Sequence, residues 1–137
     1  MPRKGYYWVK TGPPKGNPKL SQYDKDAIAS AFSQIIDDFK KQYIKENPVK
    51  EFNYLVDIYP SWRSNSFYLC EKYMYGNHAD LEGEFDEKFV RMQFTGKNCC
   101  HLSFMRYTGQ WVLFAESQTI EECKELIVSL PYFHPVG

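Results

Sequence analysis

The chain has 137 residues, of which 43% are hydrophobic and 25% charged, and its formal net charge is zero. A chain of this length suits one domain with a hydrophobic core, since it buries about two-thirds of its unfolded surface on folding. No run approaches the roughly 20 apolar residues that span a bilayer, and the N-terminus lacks the apolar stretch of a signal peptide. These features exclude a helical membrane protein, predict no membrane partner and favour a cytoplasmic location.

The zero net charge is a cancellation between two parts of the chain. Residues 1–25 carry six basic side chains and one acidic one (+5), whereas residues 26–137 carry eleven basic and sixteen acidic ones (−5). We therefore divide the chain into a basic, aromatic N-terminal strap, residues 1–20, and a single α+β domain, residues 21–137. The strap either contacts a polyanion or lies across the protein's own acidic body. Its candidate contacts are Arg3, Lys4, Lys10, Lys15 and Lys19.

Within the strap, GYYWVK has the aromatic and β-branched content of a strand and is expected to pair onto a sheet edge. The prolines of TGPPKGNPK restrict the link that follows.

The first regular element is a long helix over residues 22–46. Ser21 is followed three residues later by Asp24, as in a capping box, and Pro48 ends the helical pattern. Apolar residues recur between these signals at helical spacing, which predicts that this helix covers the core. The residues of the stripe are Ile28, Phe32, Ile35, Ile36, Phe39 and Tyr43.

From Phe52 the apolar period changes to two residues, which is typical of strands. The segments FNYLVDIY and FYLCEKYMY predict a hairpin that is closed by the loop PSWRSNS. GNHADLEGEFDE then predicts an acidic surface loop. The segments KFVRMQFT, CCHLSFMRY and WVLFA predict three more strands, separated by turns. Together these segments predict an antiparallel sheet of about five strands.

The last element is a helix over TIEECKELIVSL, where Thr119 and Glu122 form a second capping box. A helix, five strands and a helix in this order lack the crossovers that a parallel sheet needs. The sequence therefore predicts an α+β fold with a long N-terminal helix, an antiparallel sheet and a C-terminal helix. Both helices are expected on one face of the sheet.

Alternation within the third and fourth strands separates an apolar face from a mixed face. Arg91 and Gln93 share the mixed face with His101 and Ser103, and helices on the other side leave this face open. The first hairpin also has more rings than one core face absorbs, so some rings are expected on the open face. These rings are Tyr59, Tyr68, Tyr73 and Tyr75, with Trp62 and Arg63 in the predicted loop.

Most of the chain resembles a known family. The run RMQFTGKNCCHLSFMRYTGQWVLF, the helix TIEECKELIVSL and the ending YFHPVG resemble an uncharacterised family of small bacterial domains. Arg91, Phe104, Trp111 and Phe114 match the basic and aromatic positions of that family, over roughly residues 23–137. The resemblance implies a helix, hairpins and a closing helix, and it implies no activity.

Catalytic and metal-binding patterns are missing from the sequence. It contains no P-loop, dinucleotide-binding, zincin or nucleophile-elbow motif. The four cysteines contain no C-x-x-C pair and are expected to be buried free thiols, with Cys99 and Cys100 on opposite faces of one strand. We therefore predict no catalytic residue, no metal site and no cofactor.

Two classes of function are open on this basis. A nonenzymatic, nucleic-acid-associated module would use the strap and the open face, because exposed rings stack bases and nearby cations hold phosphates. Its candidate contacts on the domain are Trp62, Arg63, Arg91 and His101. A protein-interaction module (an adaptor, immunity or assembly subunit) would use the same face, since Tyr, Trp and Arg are enriched at interfaces. A metal-dependent hydrolase that pairs the acidic loop with His101 is the minority hypothesis.

Overall fold

The computed structural model describes residues 19–135. The described residues form three α-helices, five strands and one short 3-10 helix. In chain order they are α1 (Gln22–Ala31), α2 (Ser33–Tyr43), β1 (Tyr54–Arg63), β2 (Ser66–Met74), β3 (Glu84–Gly96), β4 (Cys99–Met105), β5 (Trp111–Gln118), α3 (Ile120–Ser129) and the 3-10 helix Pro131–Phe133. The α+β class is confirmed. None of the helices described is long and apolar enough to cross a membrane.

Both predicted capping boxes are present. The Ser21 hydroxyl accepts the Asp24 N–H at 3.0 Å, and the Asp24 carboxylate accepts the Ser21 N–H at 3.0 Å. This backbone hydrogen bond holds the pKa of Asp24 below its usual value. At α3 the Thr119 hydroxyl and the Glu122 carboxylate make the same reciprocal exchange. These local bonds satisfy N–H groups that the first turn of a helix leaves without partners.

The predicted first helix is interrupted at Phe32 and ends at Tyr43 rather than at residue 46. The Phe32 N–H donates to the Ala29 carbonyl at 3.1 Å, one residue closer than in a regular α-helix. The Ser33 hydroxyl also donates to the Ser30 carbonyl at 2.8 Å. This tightened turn separates α1 from α2, because the side-chain hydroxyl competes for the backbone acceptor.

The five strands form one antiparallel sheet in the order β1-β2-β3-β4-β5, which confirms the predicted meander. The predicted loop PSWRSNS was wrong at its start, since β1 extends to Arg63 and Ser64 adopts a left-handed φ of 53° at the turn. Pro60 is tolerated within β1 because this strand lies at the edge of the sheet, where a missing N–H disrupts no inner ladder.

The predicted acidic loop GNHADLEGEFDE was also too long. Glu84, Phe85, Asp86 and Glu87 belong to β3, and the loop covers residues 75–83. The Phe85 ring lies 5.3 Å from the ring of Tyr73, its cross-strand partner, and this contact stabilises the extension.

All three helices pack on one face of the sheet, as predicted. The Phe32 ring lies 5.6 Å from that of Phe67, and the Phe39 ring lies 6.2 Å from that of Phe89. On α3, the thiol of Cys123 meets that of Cys100 on β4. The buried side chains between sheet and helices form one core, and the opposite face carries no helix of the described residues.

Candidate functional site

The helix-free face carries its side chains in cross-strand rows. The row nearest the start of β1 consists of Asp57, Lys72 and Asp86. We call the next three rows the basic rows: Tyr59, Cys70 and Lys88; then Ser61, Tyr68, Arg91, Ser103 and Leu113; then Arg63, Ser66, Gln93 and His101. Successive rows are about 7 Å apart, because they are separated by two residues of each strand.

A bulge in β3 brings Lys88 and Arg91 onto the same face. Lys88 pairs with Cys70 and Val90 pairs with Leu69, so Phe89 is an extra residue in β3. Both Phe89 and Val90 consequently turn into the core, where they are 5% and 0% exposed. Strict alternation would place Lys88 on the face opposite Arg91, and the bulge reverses this.

Three cations on this face lie over aromatic rings. The Lys72 ammonium is 5.8 Å from the Tyr59 ring centroid, and the Lys88 ammonium is 5.1 Å from that of Tyr68. The Arg91 guanidinium carbon is 5.0 Å from the Trp111 ring centroid. The Tyr68 and Trp111 rings are themselves 5.9 Å apart. Rings and cations therefore alternate across the sheet within cation–π distance.

Small side chains lie among these rings. Ser103 is 1% exposed and Cys70 is 3% exposed, although no described helix covers them. The neighbouring rings and long cationic side chains shield them from water. Among residues 19–135, the Nε of Arg91 also lies out of contact with water and has no hydrogen-bond partner. The guanidinium of Arg91 nevertheless contacts the Trp111 ring.

Charge is distributed unevenly over the helix-free face. Lys72 is compensated, since its ammonium lies 3.1 Å from Glu84 and 3.9 Å from Asp86. The hydrogen bond that the Lys72 ammonium donates to Glu84 raises the pKa of Lys72. The basic rows, in contrast, contain Lys88, Arg91 and Arg63 and no acidic residue at their positions on β1 to β4. Within the described part of the chain, these three cations form no ion pair shorter than 4.0 Å.

Two titratable groups on this face are held in their neutral forms. The Tyr59 hydroxyl donates a short hydrogen bond to Asp86, and this bond raises the pKa of Tyr59. Burial raises the pKa of the Cys70 thiol to about 11. Neither group ionises near neutral pH, so the charges that a ligand meets on the basic rows come from the lysine and arginine side chains.

The structure places the predicted contacts of the domain in two different environments. Arg91, Arg63 and His101 lie on the helix-free face, and the His101 Nδ1 accepts the Ser117 N–H at 3.1 Å. Trp62 lies on the helix side instead, where its ring is 4.9 Å from that of Phe67 and beneath the ammonium of Lys25. Its Nε1 is buried without a hydrogen-bond partner among residues 19–135.

Of the strap residues, Lys19 is exposed just before α1. The predicted contacts Arg3, Lys4, Lys10 and Lys15 lie outside the described residues, as does the predicted pairing of GYYWVK with a sheet edge.

Sequence reasoning missed Lys88, Trp111 and Tyr68 as members of one site. Tyr68 was recognised as a surplus ring, but the partner of each ring depends on strand register. For Lys88 the available signal was the pair Phe89 and Val90, because two adjacent apolar residues inside an alternating strand are compatible with a bulge.

The acidic loop and His101 are not brought together. Asp86 and Gln93 are seven residues apart on β3, and Gln93 faces His101. This separates Asp86 from His101 by roughly 23 Å along the strand. In the part of the chain that the structure describes, no group of three or more His, Cys, Asp or Glu side chains is placed to hold a metal ion.

A cavity of about 550 Å³ lies beside the 3-10 helix, at the end of the sheet where β3 meets the turn between β4 and β5, and Lys88 is among its lining residues. Its lining includes Glu71, which is 2% exposed and accepts a hydrogen bond from the Tyr73 hydroxyl. His134 also lines it, with Nδ1 2.7 Å from the Tyr43 hydroxyl and Nε2 3.0 Å from the Val128 carbonyl. Both ring nitrogens of His134 are therefore engaged in holding the C-terminal segment in place.

Comparison with known proteins identifies the family of the chain. Neither the curated proteins nor the solved structures gave a match. A family model described as a domain of unknown function (DUF3024) matches residues 26–135, from within α1 to beyond the 3-10 helix. This range contains the whole sheet and α3, and it agrees with the resemblance seen in the sequence. The chain belongs to this uncharacterised family.

Proposed function

We propose that the protein is a nonenzymatic module that binds single-stranded nucleic acid on the helix-free face of its sheet. The observation that carries the proposal is the composition of the basic rows, where three cations accompany half-buried rings and no position on β1 to β4 is acidic. Net charge of the whole chain is zero, but a polyanion responds to the local potential of the surface that it touches.

Each class of side chain has a distinct role in this proposal. Bases stack on Trp111 and Tyr68, whose half-buried rings lie side by side at 5.9 Å. Phosphates lie against Lys88 and Arg91, which form no ion pair within the described part of the chain. The row of Asp57, Lys72 and Asp86 has its lysine paired with Glu84 and Asp86, so among the described residues of this face the phosphates find their unpaired cations in the basic rows. A flat sheet face suits a single strand, because unpaired bases expose their faces for stacking.

Fluorescence anisotropy with a short labelled oligothymidylate and the matching oligouridylate tests the proposal. Binding to either strand is expected to weaken as salt rises from ~50 to ~200 mM, since phosphate contacts release counterions. Lys88→Gln is expected to lower the slope of log K against log salt by about 0.7, the value for one lost contact on a single strand. Trp111→Leu is expected to cost about 1–3 kcal/mol of binding through lost stacking.

Lys41→Gln is the matched control, because Lys41 is an exposed lysine on α2, on the other side of the sheet. It removes the same charge and is expected to leave the affinity unchanged. If neither oligonucleotide binds at low salt, or if Lys88→Gln and Lys41→Gln weaken binding equally, the helix-free face is not a nucleic-acid site. Duplex DNA that competes as well as the single strands would contradict the stacking role of Trp111.

The N-terminal strap is proposed as an additional contact to the phosphates. Its five basic residues were predicted as candidate contacts: Arg3, Lys4, Lys10, Lys15 and Lys19. The triple change Lys10→Glu, Lys15→Glu and Lys19→Glu is expected to weaken binding and to reduce its salt dependence. Unchanged affinity in this variant would confine the site to the sheet. The four free cysteines are in keeping with a cytoplasmic location, where thiols stay reduced.

A protein partner is the second candidate, favoured by an exposed apolar cluster beside the edge strand β5. Phe114 is 40% exposed and Tyr132 59%, and their ring centroids lie 6.3 Å apart beside the buried Phe133. Exposed aromatic clusters of this kind are typical of protein interfaces. A protein that co-purifies with the wild type, is lost with Phe114→Ser and is retained with Lys88→Gln would favour an adaptor or assembly role over nucleic-acid binding.

A further inference from the structure

Two cysteines from distant parts of the chain meet inside the core. Cys100 on β4 and Cys123 on α3 have their sulfur atoms 3.3 Å apart, although 23 residues separate them in sequence. Both side chains are 0% exposed, and both are free thiols. This contact has no role in the proposed binding of nucleic acid, which uses the opposite face of the sheet.

We propose that Cys100 and Cys123 form an intramolecular disulfide when the protein meets hydrogen peroxide, and that this bond fastens α3 to the sheet. The sulfur atoms need to approach by roughly 1.3 Å to reach the length of a disulfide bond. A small adjustment of the two side chains or of α3 supplies that distance.

The chemistry balances with peroxide as the oxidant. One thiolate attacks hydrogen peroxide and becomes a sulfenic acid, as the O–O bond breaks and hydroxide leaves. The second thiolate attacks the sulfenic sulfur, the S–S bond forms, and a second hydroxide leaves. Each hydroxide takes up one of the two thiol protons, so two thiols and one peroxide give one disulfide and two waters.

The other two cysteines have no such partner. Cys99 precedes Cys100 on β4 and therefore points to the opposite face of the sheet, away from Cys123. Cys70 lies in the basic rows on the helix-free face, where Lys88 is its cross-strand neighbour. The pairing of Cys100 with Cys123 is thus determined by the fold, since these two thiols are on the same side of the sheet.

Burial makes the reaction slow and ties its rate to the motion of α3. The hydrogen bond between the two thiols and their burial raise the pKa of Cys100, so little thiolate forms in the closed structure. Peroxide reaches the sulfur atoms when α3 opens locally from the sheet, and oxidation then follows the population of the open form. Once formed, the disulfide closes the chain between β4 and α3 and raises the folding equilibrium constant by about a hundredfold.

The test counts free thiols and maps the disulfide in the full chain. After treatment with peroxide and removal of the excess, the denatured wild type is expected to show two free thiols instead of four. Peptide mapping without reductant is expected to find Cys100 joined to Cys123. Four remaining thiols after prolonged exposure, or a disulfide that joins another pair, would overturn the proposal.

Two cysteine variants test the pairing of Cys100 with Cys123 in different ways. The Cys70→Ser/Cys99→Ser variant keeps only the proposed pair and is expected to lose both of its thiols on oxidation. In the Cys123→Ser variant, Cys100 is expected to form no intramolecular disulfide. If Cys123→Ser does not fold, the mapped wild type and the Cys70→Ser/Cys99→Ser variant still decide the question. If the disulfide fastens α3, oxidation should raise the urea midpoint of unfolding, and dithiothreitol should return the midpoint to its original value. An unchanged midpoint after oxidation would contradict this part of the proposal.

Discussion

The Arg91 guanidinium lies 5.0 Å from the centre of the Trp111 ring, although the two residues are on strands β3 and β5. Between them lies Ser103 on β4, which faces Arg91 and is 1% exposed. A larger residue at Ser103 would occupy the space over which the two side chains meet. The contact therefore depends on three strands and on a small residue in the middle one.

The Arg91–Trp111 contact is expected to contribute to stability as a coupled pair. Arg91→Ala, Trp111→Ala and the double variant form a cycle in which the free energy of unfolding is measured by urea denaturation. We expect a coupling energy of about 0.5–2 kcal/mol for this partly desolvated cation–π contact. Either single change already removes the contact, so the double variant should lose less stability than the sum of the two single variants. Additive single effects would contradict a direct interaction. Arg91→Ala combined with Tyr107→Ala is the control, since Tyr107 is 95% exposed.

Stability at alkaline pH is expected to depend on Tyr59. Its hydrogen bond to Asp86 raises its pKa in the folded protein above the usual tyrosine value of 10.0. The unfolded phenol therefore ionises first, and the stability from this bond is complete below pH 10 and is lost as pH rises through the folded pKa. The free energy of unfolding should fall more steeply above pH 10 in the wild type than in Tyr59→Phe. Tyr107→Phe should keep the wild-type slope; equal slopes in all three proteins would refute the linkage.

Gly76 is expected to be intolerant of a side chain. A Cβ at this position would overlap the backbone carbonyl carbon and oxygen of Phe52, and backbone cannot move aside as a side chain does. We expect Gly76→Ala to lower the free energy of unfolding by about 1–3 kcal/mol. Gly96→Ala is the matched control, since its Cβ would meet only the Cβ of Cys99 at 3.9 Å. Equal stability of the two variants, measured by thermal and urea unfolding, would show that the backbone contact at Gly76 is not restrictive.

Phe67 is expected to be among the most costly positions to truncate. Its side chain is 0% exposed and lies 5.6 Å from the Phe32 ring and 4.9 Å from the Trp62 ring. Phe67→Ala should destabilise the protein by about 3–5 kcal/mol, because it removes transfer energy and leaves a cavity. Tyr107→Ala should change the free energy of unfolding by less than ~0.5 kcal/mol. A small effect of Phe67→Ala would mean that α1 and the first hairpin do not share one core.

The elements themselves were predictable because their signals are local. Ser21 and Thr119 begin their helices through bonds to residues three positions away, and the period of the apolar residues separates helix from strand. The faces of β3 and β4 also followed from alternation, and Arg91 and His101 lie where alternation placed them. Errors occurred at boundaries, as at Phe32 and Pro60, where side-chain hydroxyls and the position of a strand within the sheet decide the outcome.

The amino-acid sequence alone determined the class of the fold, the order of its elements and the existence of an open sheet face. Only the tertiary structure decided which side chains meet there. The bulge at Phe89 moved Lys88 to the face of Arg91, Trp62 turned towards the helices, and Cys123 came to lie beside Cys100. Strand register and helix packing join residues that are far apart in the chain, so no local pattern records which partners they acquire.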